Sequence, residues 1–140
     1  RGGRGVYVLA LTSNPEGPQI QQARSANGRS VGQLIVNEAA RRSAVRRGPG
    51  ATLGPVGIVV GATIGRTGTD FSALNGSILS PGIGAQGGSA ADIPAVFGEA
   101  SRFVLPSSSR EVMSAGPTHA ALQRAATQVL GEMKAALGLR

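Results

Sequence analysis

The sequence predicts a parallel α/β fold. Four short apolar runs recur along the chain, and segments with helical spacing or helix-start residues separate them. The longer runs are continuous and rich in Val and Ile, the pattern of strands covered on both faces. A polar or glycine-rich segment follows each run: "TSNPEG", "TIGRTG", "PGIGAQGG" and "PSSSR". In α/β folds ligands bind at the carboxyl ends of strands, where these segments fall.

The first run, "GVYVLAL" (Gly5 to Leu11), reads as a strand buried on both faces, and "TSNPEGP" after it as turn chemistry. Ser30 opens a helix, forming a capping-box pattern with Gln33. Val31, Leu34, Ile35 and Ala39 share one helical face, and Gln33, Asn37 and Arg41 another. "RRGPGATLGP" (Arg46 to Pro55) is a breaker-rich loop. "VGIVVGA" (Val56 to Ala62) is the second strand, and "TDFSAL" (Thr69 to Leu74) has room for a turn or two of helix. "SILS" (Ser77 to Ser80) is a short third strand running into the glycine loop. "SAADIPAVFG" (Ser89 to Gly98) is expected to hold a short helix capped by its serine. "RFVL" (Arg102 to Leu105) is the fourth strand. Pro117 suits the first turn of a last, long helix, whose stripe is Leu122, Ala126, Val129, Met133 and Leu137.

Residues 1–140 read as a single unit. The chain is 41% hydrophobic but only 3% aromatic, so its core is built from Ala, Val, Leu and Ile. It has no cysteine, which excludes disulfides and thiolate metal sites and points to the cytoplasm. One histidine, His119, and seven acids offer no metal-ligand cluster. No apolar run is long enough for a membrane span, and "RGGRG" at the start lacks the apolar region of a secretory signal. The net charge of +7 comes almost wholly from arginine. Only Arg41, Arg42, Arg46 and Arg47 cluster, at a predicted helix end, with no aromatic residues between them to stack bases. A solvated helix terminus is the better reading than a nucleic-acid site.

Two architectures fit this order, an open doubly wound sheet and part of a (β/α)8 barrel. The third and fourth loops look like phosphate binders. In barrels that role commonly falls to the loops after strands seven and eight. Four units ending in such a pair look like the last four of a TIM barrel, strands 5–8.

"VLALTSNPEG", "GIVVGAT", "PGIGAQGG" and "LPSSSREV" occur in this order, each at a predicted strand end. Together they resemble the bacterial orotidine 5′-phosphate decarboxylases of the longer, actinobacterial-like subgroup. The resemblance covers only the second half of that family's barrel. It implies conversion of orotidine 5′-monophosphate to UMP and carbon dioxide without a cofactor, in pyrimidine biosynthesis, by a homodimer with active sites near its interface. In that family a lysine protonates the pyrimidine carbon, and it belongs to a Lys/Asp array that includes a D-x-K-x-x-D motif. Here the single lysine, Lys134, lies in the last helix with no aspartate two residues before it. The chain alone is therefore expected to be inactive, and its partner to be an N-terminal half-barrel or a second copy. A non-catalytic nucleotide- or phosphate-binding half-barrel is the alternative.

The resemblance also implies a substrate-binding set. Thr12 and Ser13, which by themselves read as a turn, match positions that read the pyrimidine edge. Pro81 shapes the pocket wall. Gly82 and Gly87, with Gly84 and Gly88, let backbone approach phosphate oxygens, and Gln86 reaches the phosphate or the base. Ser109 and Arg110 match the phosphate clamp after the last strand, where a guanidinium supplies a planar fork of donors. No residue of this chain is expected to be catalytic. Asp70, Asp92 and Glu111 read as caps or solvated charge.

Overall fold

A computed structural model describes residues 3–84 and 87–139. Four strands, β1 (Val6–Leu11), β2 (Val56–Val60), β3 (Ile78–Pro81) and β4 (Val104–Ser107), form one sheet in the order β1-β2-β3-β4, all parallel. The helices are α1 (Gly17–Gln21), α2 (Val31–Arg46), α3 (Asp92–Phe97), α4 (Arg110–Ser114) and α5 (His119–Ala136). A 3₁₀ turn spans Gly98–Phe103. Sequential strand order with every neighbour parallel is that of an opened barrel wall, whereas a doubly wound sheet reverses its order at a switch point.

The pairing register assigns the two faces. Val6, Val8, Val56, Ile58, Ile78 and Val104 stand in rows on one face. Of these, Val56, Ile58, Ile78 and Val104 are buried in the core, with Val36, Ala39 and Ala40 of α2 and Val129 and Met133 of α5. Tyr7, Leu9, Gly57, Val59, Leu79 and Leu105 line the other face. Among the described residues no helix packs on that face, and Leu9 is 62% exposed, Leu105 51%. Across it the Tyr7 ring lies over Gly57, and the Tyr7 hydroxyl meets Ser77 Oγ at 2.6 Å. A Cβ at position 57 would stand 2.6 Å from the ring and from the Ser77 carbonyl, so only glycine fits there.

Several expectations change. The first strand is not buried on both faces: Val6 to Leu9 are exposed, and only Ala10 and Leu11 are buried. β1 is an edge strand, and among the described residues no strand pairs with its open side. The Thr69–Leu74 helix does not form. Gly65 and Gly68 adopt φ of +67° and +72°, and the Asp70 carboxylate accepts from the Ser72 N–H at 2.8 Å, a local turn that competes with helix. The fourth strand starts later than expected, because Arg102 and Phe103 belong to the 3₁₀ turn. Ser89 is not the N-cap of α3, a position held by Ala91. Instead the Ser89 N–H and hydroxyl donate to the Asp92 carboxylate at 2.7 and 2.8 Å. Pro117 precedes α5 rather than starting it, and Thr118 caps that helix. Of the α5 stripe, Val129 and Met133 are buried, whereas Ala126 is exposed. Two short helices, α1 and α4, arise in segments read as loops.

Ser30 does cap α2, its Oγ accepting from the Gln33 N–H at 3.1 Å. Ser30→Ala should lower stability by about 1 kcal/mol, measured by denaturant unfolding of an assembled, soluble sample. The Gln33 side chain does not close the capping box. It receives the Asp70 N–H on Oε1 at 2.8 Å and donates Nε2 to the Asp70 carbonyl at 3.0 Å, clipping the segment after β2 onto α2. The buried face of α2 is rotated from the one expected and shares only Ala39 with it. Gly32, Val36, Ala39, Ala40 and Ser43 meet the sheet, while Val31, Leu34 and Ile35 are only half-buried. Arg41 and Arg42 both pair with Glu38, at 2.8 and 2.6 Å, and these bonds pull the Glu38 carboxyl down to about 2. Such exposed pairs contribute little to stability.

Candidate substrate site at the carboxyl ends of the strands

All four strands are parallel, so their following loops gather at one end of the sheet. The loop after β1 is braced from within. Gln21 at the end of α1 accepts the Thr12 N–H at 2.8 Å and donates to Thr12 Oγ1 at 2.7 Å. Asn14 donates to Glu16 at 2.9 Å, which holds the Glu16 carboxyl below its usual range. Thr12 is half-buried and Ser13 is exposed. Ser13 sits beside Gly61, at the start of the next loop. Together the two loops enclose a cleft of about 200 Å³ lined by Thr12, Ser13, Asn14, Thr63, Ile64 and Thr67.

The glycine loop after β3 begins at Pro81, half-buried and paired with Ser107 of β4; its carbonyl accepts the Ala62 N–H at 2.9 Å. Gly82, Gly84 and Gly87 adopt φ of +102°, +80° and +88°, a region that favours glycine. The loop folds back on itself. Gly84 N–H donates to the Gly88 carbonyl, Gly87 N–H to that of Gly84, and Gly88 N–H to that of Gly82, at 2.7, 2.7 and 3.1 Å. Those three donors are therefore used within the loop, and the glycines first of all permit its tight shape. Gln86 lies outside the described residues. Gly87 is exposed and lines a second cleft, of about 270 Å³, with Thr63, Gly65, Arg66 and Asp92. Thr63 lines both clefts, so they adjoin.

After β4, Ser109 is the N-cap position of α4 and Arg110 its first residue. Both are exposed. Arg110 takes part in no ion pair; among the described residues these form only between Glu38 and Arg41 or Arg42. Glu111 is neither a cap nor fully solvated. It is half-buried against Gly84, and any Cβ at position 84 would collide with its carboxylate. The third and fourth loops are thereby packed together. Asp70 and Asp92 do serve local turns, each carboxyl held below its usual range by backbone N–H donors, from Ser72 and Ser89 respectively. His119 is an exposed first residue of α5.

Thr12 and Ser13 thus face one cleft, Gly87 the adjoining one, and Ser109 and Arg110 follow the strand next to the glycine loop. Gln21, Thr63, Arg66 and Thr67 complete these walls and were not singled out from sequence. For Thr63, Arg66 and Thr67 the only signal was the polar, glycine-punctuated character of "TIGRTG", which marks a loop but not which of its side chains face inward; Gln21 lies beyond the turn read after the first strand. Hydroxyls, amides and guanidinium groups dominate the set, suited to binding a polar ring and an anionic group. No group of three or more His, Cys, Asp or Glu side chains positioned for a metal occurs among the described residues. No helix there is long and apolar enough to cross a membrane.

Comparison with known proteins agrees with this architecture. The chain is 57% identical over 135 residues to an orotidine 5′-phosphate decarboxylase of Salinispora arenicola. The match covers 96% of this chain and 47% of that protein. The corresponding enzyme of Streptomyces coelicolor is 45% identical over the same length. A solved structure from Streptomyces avermitilis, assigned to the same enzyme, superposes with a TM-score of 0.85 at 44% identity, covering 96% of this chain and 46% of that one. Leishmania donovani UMP synthase superposes at 0.66 with 28% identity, covering 94% and 28%. The chain spans about half the length of the curated relatives it matches, and its four-stranded sheet is the matching part of a TIM barrel. Residues 1–125 match the model of the orotidine 5′-phosphate decarboxylase / HUMPS family, and the chain belongs to that family.

Proposed function

We propose that this chain is the substrate-holding, C-terminal half of an orotidine 5′-phosphate decarboxylase and that a complementary half supplies the reacting groups. The observation that carries this reading is the placement of the four motif-bearing loops at one end of the sheet, with two adjoining polar clefts among the first three of them. Thr12 and Ser13 read the pyrimidine edge, Pro81, Gly82 and Gly87 shape the wall, Gln86 reaches the phosphate or the base, and Ser109 and Arg110 hold the 5′-phosphate.

In the reaction the bond between the pyrimidine carbon and its carboxylate breaks. Carbon dioxide leaves, the electron pair remains on the ring carbon, and a lysine ammonium delivers the proton. Lys134 cannot be that lysine, since it is exposed in the last turn of α5. Grip on the remote phosphate lowers the barrier at the ring carbon when that binding is used to position and strain the reacting end. The half described here can therefore govern rate while owning none of the reacting groups. The family reading brings with it a cytoplasmic homodimer.

The test is reconstitution. The chain is mixed with the complementary half of the Salinispora arenicola relative, and loss of orotidine 5′-monophosphate is followed. Turnover should appear only with both halves present. Assembly without turnover, but with UMP bound, would favour the non-catalytic half-barrel. Turnover by the chain alone would overturn the assignment of the reacting groups.

A further inference from the structure

The loop after β1 holds a chain of side-chain hydrogen bonds whose direction is fixed at both ends. At one end the Thr12 N–H can only donate, so Gln21 turns Oε1 toward it, at 2.8 Å. That leaves Gln21 Nε2 to donate to Thr12 Oγ1 at 2.7 Å. Thr12 Oγ1 donates in turn to Asn14 Oδ1 at 2.5 Å, and Asn14 Nδ2 to Glu16 Oε2 at 2.9 Å. At the far end a carboxylate can only accept. The bond from Asn14 holds the Glu16 carboxyl below its usual range, so it stays an acceptor at neutral pH. Gly17 is buried against the middle of this chain of bonds. A Cβ there would stand 2.9 Å from the Thr12 carbonyl and 3.0 Å from Thr12 Oγ1.

Thr12, Ser13, Asn14 and Gln21 all line the cleft of the first loop. There the N–H and the hydroxyl proton of Thr12 are both engaged inside the loop. Ser13 is exposed in the cleft, and its hydroxyl is free among the described residues. We infer that Glu16 and Gln21 are positioning residues: as the two ends of this relay they hold Thr12 in the scaffold, so that Ser13 is the hydroxyl offered to a pyrimidine edge. This rests on the reading proposed above and narrows it. A pyrimidine ring amide presents a donor beside an acceptor, and a serine hydroxyl can serve either. Recognition then depends on where the relay places Ser13.

A relay of fixed direction can be reversed as a whole but not at one member. Gln21→Glu keeps an acceptor for the Thr12 N–H and removes the donor to Thr12 Oγ1. Thr12 must then donate to the new carboxylate, and Asn14 must turn its amide to supply Thr12. That turn sets Asn14 Oδ1 against the Glu16 carboxylate, acceptor against acceptor. Adding Glu16→Gln supplies the missing donor at the far end. Every bond of the relay is then remade in the opposite direction, with no polar group left over.

Both single variants and the double variant are made in the full chain, assembled with the complementary half of the Salinispora arenicola relative, and titrated with UMP in a calorimeter. Gln21→Glu should weaken UMP binding about tenfold and Glu16→Gln about threefold, whereas the double variant should return to within about threefold of the parent. The rescue should persist at high salt, which screens a mere restoration of charge balance between exposed groups. Amide hydrogen exchange at Thr12 should speed up in Gln21→Glu and slow again in the double variant. A double variant no better than Gln21→Glu, or a rescue lost at high salt, would overturn the inference. If the assembled parent binds no UMP, the functional reading falls, and Thr12 exchange across the same series still decides the relay.

Discussion

Purified alone, the 140-residue chain should not sediment as a monodisperse monomer. The face of the sheet that carries Tyr7, Leu9, Val59, Leu79 and Leu105 is the lumen side of a barrel wall, and among the described residues no helix covers it. Burying one large aliphatic side chain contributes about 1.5–3 kcal/mol, so covering this face outweighs the cost of ordering a partner. Both outer strands, β1 and β4, also leave a row of backbone donors and acceptors unpaired on one side. In a closed barrel strand eight pairs with strand one and strand five with strand four, and no edge remains. Dimers of half-barrels or larger species should dominate in sedimentation velocity. Adding the complementary half should convert them to a defined complex. Leu9→Lys combined with Leu105→Lys should shift the isolated chain toward monomer, because both side chains lie on the open face. A monomer that unfolds cooperatively without any substitution would refute the half-barrel reading.

Arg110→Ala, made in the chain assembled with its complementary half, should weaken UMP binding by about 2 kcal/mol or more, roughly 30-fold, the scale for losing a charge-assisted contact. The position suits a clean measurement. Arg110 is exposed at the first turn of α4 and supports no ion pair, so its truncation leaves neither a cavity nor a stranded charge. Binding can then fall without a change in the unfolding midpoint. Arg102 is the natural control, since its guanidinium stacks over the Phe103 ring at 4.7 Å, in the 3₁₀ turn before β4 rather than in a loop after a strand. Its truncation should leave UMP affinity unchanged. Calorimetry that finds equal affinity for Arg110→Ala and the parent would remove Arg110 from the phosphate site.

Gly84 shows how far the sequence reaches into the site. From sequence it is one glycine of a loop suited to phosphate. In the fold its φ of +80° and the Glu111 side chain against it each exclude a larger residue. Its N–H is bonded within the loop rather than offered outward. From sequence Glu111 read only as a cap or solvated charge, because what sets it against Gly84 is the adjacency of β3 and β4, two strands brought together from separate parts of the chain.

What the sequence determined by itself is what depends on neighbours along the chain. Runs of Val and Ile make strands, Ser30 caps its helix, and the order of runs and loops makes a parallel sheet with its polar loops at one end. The motif order also marks the family, because each motif is a short contiguous segment. Only the tertiary structure decided which apolar surfaces are covered. Val8 and Val56 belong to equally apolar runs, yet one is at an open edge and the other inside. The apolar stripe of α2 and the first strand are both written for burial, yet β1 stands at the edge of the sheet and much of that stripe is only half-buried beside it. Likewise the Thr69–Leu74 segment has helix-compatible residues, but the turn at Asp70 and the clip from Gln33 hold it as a non-helical turn against α2. Local propensity sets what a segment can be; long-range packing, which no window of sequence displays, selects among those possibilities.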